Sequence, residues 1–241
     1  MTAAAAFGRA ADYDGHAIVQ RRVAERLAET ILALPLAPRP RVLEIGCGTG
    51  FLAGALMGRM PGALWLLTDI APAMIDRARA RIGVSDGVRF GVMDGERPEA
   101  KGSFDLICSS LAAQWFADLP RALEQWRARL SPRGTIAFTT LAAGSFAEWR
   151  EAHRGLPCGA HDYPAPEALA KLGLDVTVER HAQHHTDARA FLHALKAIGA
   201  GTARAGHRPL APAQLRAVMR RFEAACAVST YVIATCIASR V

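Results

Sequence analysis

Lysine is nearly absent from this chain. Of 29 basic residues, only Lys101, Lys171 and Lys196 are lysines, so the net charge of +7 rests on arginine. No basic run is interleaved with aromatics, which make up only 7% of residues. That removes the usual strip for gripping and stacking nucleic acid, and none is expected as a partner. The positive balance suits either an acidic partner or substrate, or a plain solvated basic surface. The five cysteines include no C-x-x-C pair. They are expected to be reduced and mostly buried thiols in a cytoplasmic protein. His184 and His185 are adjacent, with no second pair at ligand spacing, so no metal is expected. No apolar run reaches the ~18–20 residues that span a bilayer. Met1 to Phe7 has no charged start before a long apolar core, so neither a signal peptide nor a membrane partner is expected. With 51% hydrophobic and 21% charged residues, the 241-residue chain is globular and can bury a full core.

The most informative stretch is Arg41-Val42-Leu43-Glu44-Ile45-Gly46-Cys47-Gly48-Thr49-Gly50. An apolar β-like run feeds into three glycines at alternate positions. A helical pattern follows, with Leu52, Ala55, Leu56 and Met60 near 3.6 spacing. A strand, a turn nearly free of side chains and a helix N-terminus form a nucleotide-binding edge in open α/β folds. Two ligands remain open. Gly48, Gly50 and Ala53 fit the dinucleotide pattern G-x-G-x-x-A. Read from Glu44, the stretch is E-x-G-x-G-x-G. A carboxylate there suits a cationic ligand such as S-adenosylmethionine, whereas an unpaired Glu44 would repel a pyrophosphate.

Before this stretch, Val19, Val23, Leu27 and Ile31 form one apolar helical stripe, ended by Pro35, Pro38 and Pro40. Tyr13, His16 and Gln20 precede it or open it. His16 and Gln20 share a face at i, i+4. The segment is a surface arm, or a lid that excludes water from a charged reaction centre. After the glycines, Leu64–Thr68 is a strand ending in Asp69, 19 residues past Gly50 (69 − 50). An acidic residue there can accept from both ribose hydroxyls. Pro72 opens a helix in which Met74, Ala78 and Ile82 repeat; Met74 lies near an adenine or in the core. Val88–Met93 is the third strand. It ends in Asp94-Gly95, where the carboxylate either takes an adenine amino group or closes a turn. Ser103–Ser110 is the fourth strand and opens into Leu111 to Phe116. There Gln114 and Trp115 offer a hydrogen bond and a flat apolar wall. Asp118 caps a helix whose stripe runs to Leu130, and Pro132-Arg133-Gly134 turns into a fifth strand, Thr135–Thr140. This βα rhythm predicts a doubly wound, mostly parallel sheet. Beyond residue 141 the rhythm breaks. Short helices are expected over Phe146–His153 and Glu167–Leu172, with a loop between. Strands are expected at Leu174–Glu179 and Tyr231–Ile237, separated by helices over Ala188–Ala200 and Pro212–Ala225 that cover an acceptor pocket.

Several stretches together resemble the malonyl-acyl-carrier-protein O-methyltransferases of biotin synthesis. They are Phe7-Gly8-Arg9-Ala10-Ala11 with Tyr13-Asp14-x-His16-Ala17-x-x-Gln20; Ser110-Leu111-Ala112-x-Gln114-Trp115; Ala137 to Leu141 with Gly144-Ser145; and Leu195-Lys196-x-Ile198-Gly199-Ala200. The chain departs from that family at Ser110, where Asn is usual, and across Leu156 to Tyr163. The resemblance implies a seven-stranded, Rossmann-like class I methyltransferase fold in one domain. Residues 1–38 would be an N-terminal helical arm or lid, 39–141 the cofactor core, and 142–241 a helical substrate-side cap with the closing strands. It implies S-adenosylmethionine as cofactor, S-adenosylhomocysteine as product, and a monomer acting on an acidic acyl-carrier protein. The malonyl carboxylate would take the methyl group, and the ester would then enter fatty-acid elongation as a primer. Candidate cofactor contacts are Tyr13, His16, Gln20, Glu44, Gly46, Cys47, Gly48 and Gly50. Further along they are Asp69, Ile70, Met74, Met93, Asp94, Gly95, Ser109 and Leu111. Candidates for orienting the acceptor carboxylate are Tyr13, Gln114, Trp115, His161 and Lys196, each weighed against a packing or surface role. A methyltransferase for another small carboxylic acid or a quinone precursor, and a dinucleotide-binding or cofactor-sensing protein, are the competing functions.

Overall fold

A computed structural model describes residues 13–198, 203–204 and 206–239. The arm motif Phe7 to Ala11 and the Gly199-Ala200 end of the last motif lie outside the described residues. Two compact units are formed. One holds residues 20–140, 166–177 and 234–239. The other holds residues 13–19, 141–165 and 178–233, apart from those not described.

The elements run α1 (Tyr13–His16), α2 (Ile18–Leu32), β1 (Arg41–Ile45), α3 (Phe51–Met57), β2 (Leu64–Asp69), α4 (Pro72–Ile82), β3 (Val88–Val92) and β4 (Phe104–Ser110). A 3₁₀ turn (Ala113–Trp115) leads to α5 (Leu119–Arg127) and β5 (Leu130–Leu141). Then follow α6 (Ala147–His153), α7 (Pro166–Ala170), β6 (Asp175–His184), α8 (Ala188–Ala197), α9 (Pro212–Ala224) and β7 (Val228–Ser239). The sheet has seven strands in the order β3-β2-β1-β4-β5-β7-β6. Strands β1 to β5 pair in parallel. Strand β7 runs the other way. Thr135 meets Ser239, whereas Ala142, seven residues on (142 − 135), donates to the carbonyl of Val232, seven residues back (239 − 232). The doubly wound, mostly parallel sheet expected from the βα rhythm is therefore present.

In the first unit, α2 contributes Ala24, Leu27 and Ile31 to the core; Val42 of β1, Leu67 of β2 and Leu106 of β4 meet them there. Helix α3 adds Leu52 and Leu56, and α4 adds Ile75 and Ala78. Helix starts follow local chemistry. Pro72 opens α4, where its missing N–H has no helical partner to lose. The Asp118 carboxylate caps α5 by accepting from Arg121 N–H at 3.0 Å. In the second unit an aromatic core forms. Phe146 lies 4.8 Å from Tyr231, Trp149 5.1 Å from Phe191, and Phe191 5.0 Å from Phe222, ring centre to ring centre.

Four expectations need correction. The α5 stripe stops at Arg127, and Leu130 already pairs with Phe104 as the start of β5. Pro132 and Gly134 do not form a turn before the strand; they lie within it. The pairing advances from Phe104 to Leu106 on β4 while β5 advances from Leu130 to Thr135. The extra residues bulge out, and a bulge accepts a proline that a regular ladder would reject. Likewise the helix expected to reach Ala200 ends at Ala197, and the strand expected to end at Glu179 continues to His184.

Trp126 on α5 is fully buried, and its Nε1–H donates to the Gly95 carbonyl at 2.8 Å. Trp126→Phe leaves that buried carbonyl without a donor. It should lower stability by about 1–3 kcal/mol. The check is a urea melt, with a reduced midpoint and an unchanged slope.

Candidate functional site

The site begins where β1 stops. In the parallel register Glu44 lies beside Leu67 and Cys108, and Asp69 beside Val92. The C-terminal ends of β1, β2, β3 and β4 therefore form one edge. Gly46 and Gly48 both take left-handed backbone, at φ 66° and 54°. They need glycine for different reasons. A Cβ on Gly46 would stand 2.3 Å from the Cβ of Ala112, so this turn packs against the loop after β4. A Cβ on Gly48 would meet nothing within 4 Å. Above Gly48 the main chain borders open space that a ligand can enter.

The turn is laced to β2. Cys47 N–H donates to the Thr68 carbonyl at 2.8 Å, and Thr68 Oγ1–H donates to the Glu44 carbonyl at 2.7 Å. Asp69 accepts from Gly48 N–H on one carboxylate oxygen and from Ala71 N–H on the other, both at 2.9 Å. Asp69 thus pins the glycine turn to the start of α4, a task its sequence position did not reveal. A carboxylate has about four acceptor sites, so these main-chain donors still leave room for a ribose hydroxyl. Burial pushes its carboxyl up, and the N–H groups of Ala71, Gly48 and Ile70 oppose this.

Glu44 is only 1% exposed, and its Oε2 has no hydrogen-bond partner. Burial first, and the Asp69 charge second, push its carboxyl from 4.5 to about 8, while Ala53 N–H pulls the other way. The charge assumed from sequence is therefore conditional. At neutral pH this carboxyl keeps its proton unless a cation arrives beside it. Repulsion of a pyrophosphate by Glu44 does not by itself exclude a dinucleotide.

Among the described residues, six buried side-chain polar atoms lack a partner. Four of them fall on sequence-chosen candidates: Gln20 Oε1, Glu44 Oε2, Ser109 Oγ and Gln114 Oε1. Buried polar groups without partners are costly, so each of them is a group that a ligand could complete. Ser109 follows Cys108, the β4 partner of Glu44. Gln114 donates through Nε2 to the Leu111 carbonyl at 2.6 Å, and Leu111 sits at φ 51°. One Gln114 N–H and its carbonyl remain for a ligand. This donor and acceptor set fits S-adenosylmethionine, whose amino and sulfonium groups are cationic and whose ribose and adenine both donate.

The other candidates divide. Asp94 is exposed, and its Oδ1 accepts from Glu96 N–H at 2.9 Å, closing the turn that one of its two readings expects. Gly95 is a packing glycine, because a Cβ there would stand 2.4 Å from Ile45 Cγ2. Met74 is 1% exposed and sits in the core, Cys47 is buried, Met93 is half-buried and Ile70 is 45% exposed. Trp115 closes the 3₁₀ turn and is half-buried. Tyr13, His16, His161 and Lys196 belong to the other unit. There Tyr13 opens α1, and the His16 ring lies edge-on to that of His193 at 5.1 Å. The His161 carbonyl accepts from Arg150, and Lys196 is exposed on α8. Ala112 was missed in the sequence; its only signal is a small residue where Gly46 must approach.

A pH test isolates Glu44. Its folded-state value lies above the unfolded one, so the stability linked to this proton is present below 4.5 and is lost as the pH rises toward 8. Compared with Glu44→Gln, the wild-type melting temperature should fall steadily from about pH 5 to about pH 8 and then level off. Parallel curves would mean an ordinary carboxyl.

The chain can now be compared with known proteins. A family model described as a methyltransferase domain matches residues 42–134, the glycine turn through β4 and into β5. The biotin biosynthesis bifunctional protein BioCD of Bordetella avium is 49% identical over 232 residues, covering 93% of this chain; the chain spans 49% of that protein's length. A malonyl-[acyl-carrier protein] O-methyltransferase of Magnetococcus marinus is 42% identical, with 89% of this chain and 82% of that protein covered. Among solved structures, the YcgJ protein of Bacillus subtilis superposes at a TM-score of 0.60 with 16% identity, covering 89% of this chain and 98% of that one. Magnesium protoporphyrin IX methyltransferase of Synechocystis with bound S-adenosylhomocysteine gives 0.51 with 12% identity, covering 90% and 82%. These two share the fold alone. The relatives carry the assignment, and the chain belongs to the malonyl-[acyl-carrier protein] O-methyltransferase family of S-adenosylmethionine-dependent enzymes.

Proposed function

We propose that the protein methylates the free carboxylate of a malonyl thioester carried on acyl-carrier protein. The observation that carries this reading is Glu44, a buried carboxyl with an orphaned oxygen beside a turn that a ligand can reach. Glu44 would hold the amino group of S-adenosylmethionine, Asp69 the ribose hydroxyls, and the Gly48 main chain would border the ligand. Asp94 would take the adenine amino group. Ser109 and Gln20 offer further hydrogen bonds from inside the same unit. When bound, the cofactor supplies an electrophilic methyl group on a positively charged sulfur.

The acceptor needs no base. A carboxylic acid of pKa near ~4 is ionised at neutral pH and is already a nucleophile. The side chains therefore have to align, desolvate and hold charge. Gln114 suits alignment, because one N–H stays available after its bond to Leu111. Trp115 would form the flat wall beside it. Acyl-carrier proteins are acidic, and the arginine-borne charge of +7 favours their approach.

The test is transfer of labelled methyl from S-adenosylmethionine to three acceptors: malonyl-acyl-carrier protein, malonyl-coenzyme A and acetyl-acyl-carrier protein. Label should enter the malonyl carrier protein as a base-labile ester and should not enter the acetyl one. Label in neither carrier, or equal label in both, would contradict the proposal.

A further inference from the structure

The chain leaves β4 through a strained residue. Leu111 sits at φ 51°, left-handed backbone that a bulky side chain rarely adopts. Such a conformation persists only where its surroundings impose it. Here Thr139 of β5 does so. Ser110 and Thr139 are partners in the parallel ladder, and Leu111 is the next residue out. The Leu111 N–H is shared between two oxygens of Thr139, the side-chain Oγ1 at 3.1 Å and the main-chain carbonyl at 3.2 Å. The Thr139 hydroxyl donates its own proton to Ser110 Oγ at 3.5 Å, which leaves a lone pair for Leu111. Thr139 is buried. Valine has the shape of threonine without the hydroxyl and forms strands at least as well, so a plain strand role does not call for threonine here.

What Thr139 fixes passes on to Gln114. The Leu111 carbonyl accepts from Gln114 Nε2 at 2.6 Å. A carbonyl can only accept, so the Gln114 amide must turn its NH2 end to Leu111 and its Oε1 away. Oε1 is buried and has no partner among the described residues. The rest of the loop is held as well. The Ala112 Cβ would stand 2.3 Å from a Cβ on Gly46, and the Ala112 carbonyl accepts from Trp115 N–H at 3.1 Å. All of these residues belong to one unit. Without the hold on Leu111 its carbonyl can swing away. The two ends of the Gln114 amide, alike in shape and opposite in polarity, can then exchange places.

We propose that Thr139 is a positioning residue. By holding Leu111 left-handed it sets the polarity of the Gln114 amide, a role that rests on the part given to Gln114 in the proposed methyl transfer. Held this way, the amide offers one orphaned acceptor and one remaining N–H in fixed places. Thr139 itself touches no ligand in this scheme and acts only through Leu111 and Gln114.

The test compares Thr139→Val, Gln114→Leu and the double variant of the full chain. Methyl transfer to malonyl-acyl-carrier protein is measured in each. Hydrogen exchange of the Gln114 side-chain amide is followed by NMR, its signal identified by its loss in Gln114→Leu. Either single substitution should lower kcat/KM about tenfold, the worth of one hydrogen bond. The double variant should also lose about tenfold in total rather than about a hundredfold, because the two residues act as one unit. In Thr139→Val the amide should exchange about tenfold faster, and Thr139→Ser, which keeps the hydroxyl, should restore exchange and turnover. A hundredfold loss in the double variant, or unchanged exchange in Thr139→Val, would overturn the proposal. So would a wild-type Gln114 amide whose two protons both exchange as fast as those of an exposed glutamine, whether or not the variants fold. If the wild type transfers no methyl to the malonyl carrier protein, the proposed acceptor falls, and the exchange measurement still decides the role of Thr139.

Discussion

A carboxyl group that cannot stay ionised alone organises this protein. Glu44 lies one residue before the end of the first strand, buried from solvent and with an oxygen that no described residue satisfies. In such surroundings a negative charge is unfavourable, and the group holds its proton up to about pH 8. An arriving cation reverses that balance. The site therefore takes on its charge when it is filled, and selectivity for a cationic ligand comes from burial as much as from the carboxylate.

The neighbouring groups keep this arrangement open. Asp69 uses both oxygens to tie the glycine turn to the start of α4, and it adds a second acidic group beside Glu44. The close approach of Gly46 to Ala112 fixes the loop after β4, from which Gln114 presents its unpaired carbonyl. Rigid main-chain contacts thus hold polar atoms that the protein itself leaves unsatisfied. Such atoms destabilise the empty site and strengthen a ligand that completes them.

Much of this was legible in the residues because it is local. Alternating glycines after Val42–Ile45, an acidic residue closing Leu64–Thr68 and a proline opening α4 are short-range signals with direct physical meaning. The four unpartnered atoms belong to Gln20, Glu44, Ser109 and Gln114, which were all candidates, Ser109 only through the family resemblance. What stayed hidden depends on distant groups. Nothing in Pro132-Arg133-Gly134 says that β4 will pair across it and turn an apparent loop into a bulge. The protonation of Glu44 depends on how deeply the sheet buries it. Asp94 shows the limit from the other side, because its turn bond is plain and its ligand role is not.

The most direct measurement is proton release on binding. Calorimetric titration of S-adenosylmethionine into the protein at pH 7, repeated in buffers of different ionisation enthalpy, counts the protons exchanged. A cation beside Glu44 should release a large part of one proton per site, and Glu44→Gln should abolish that release. Binding with no proton exchange, or with uptake, would contradict the account.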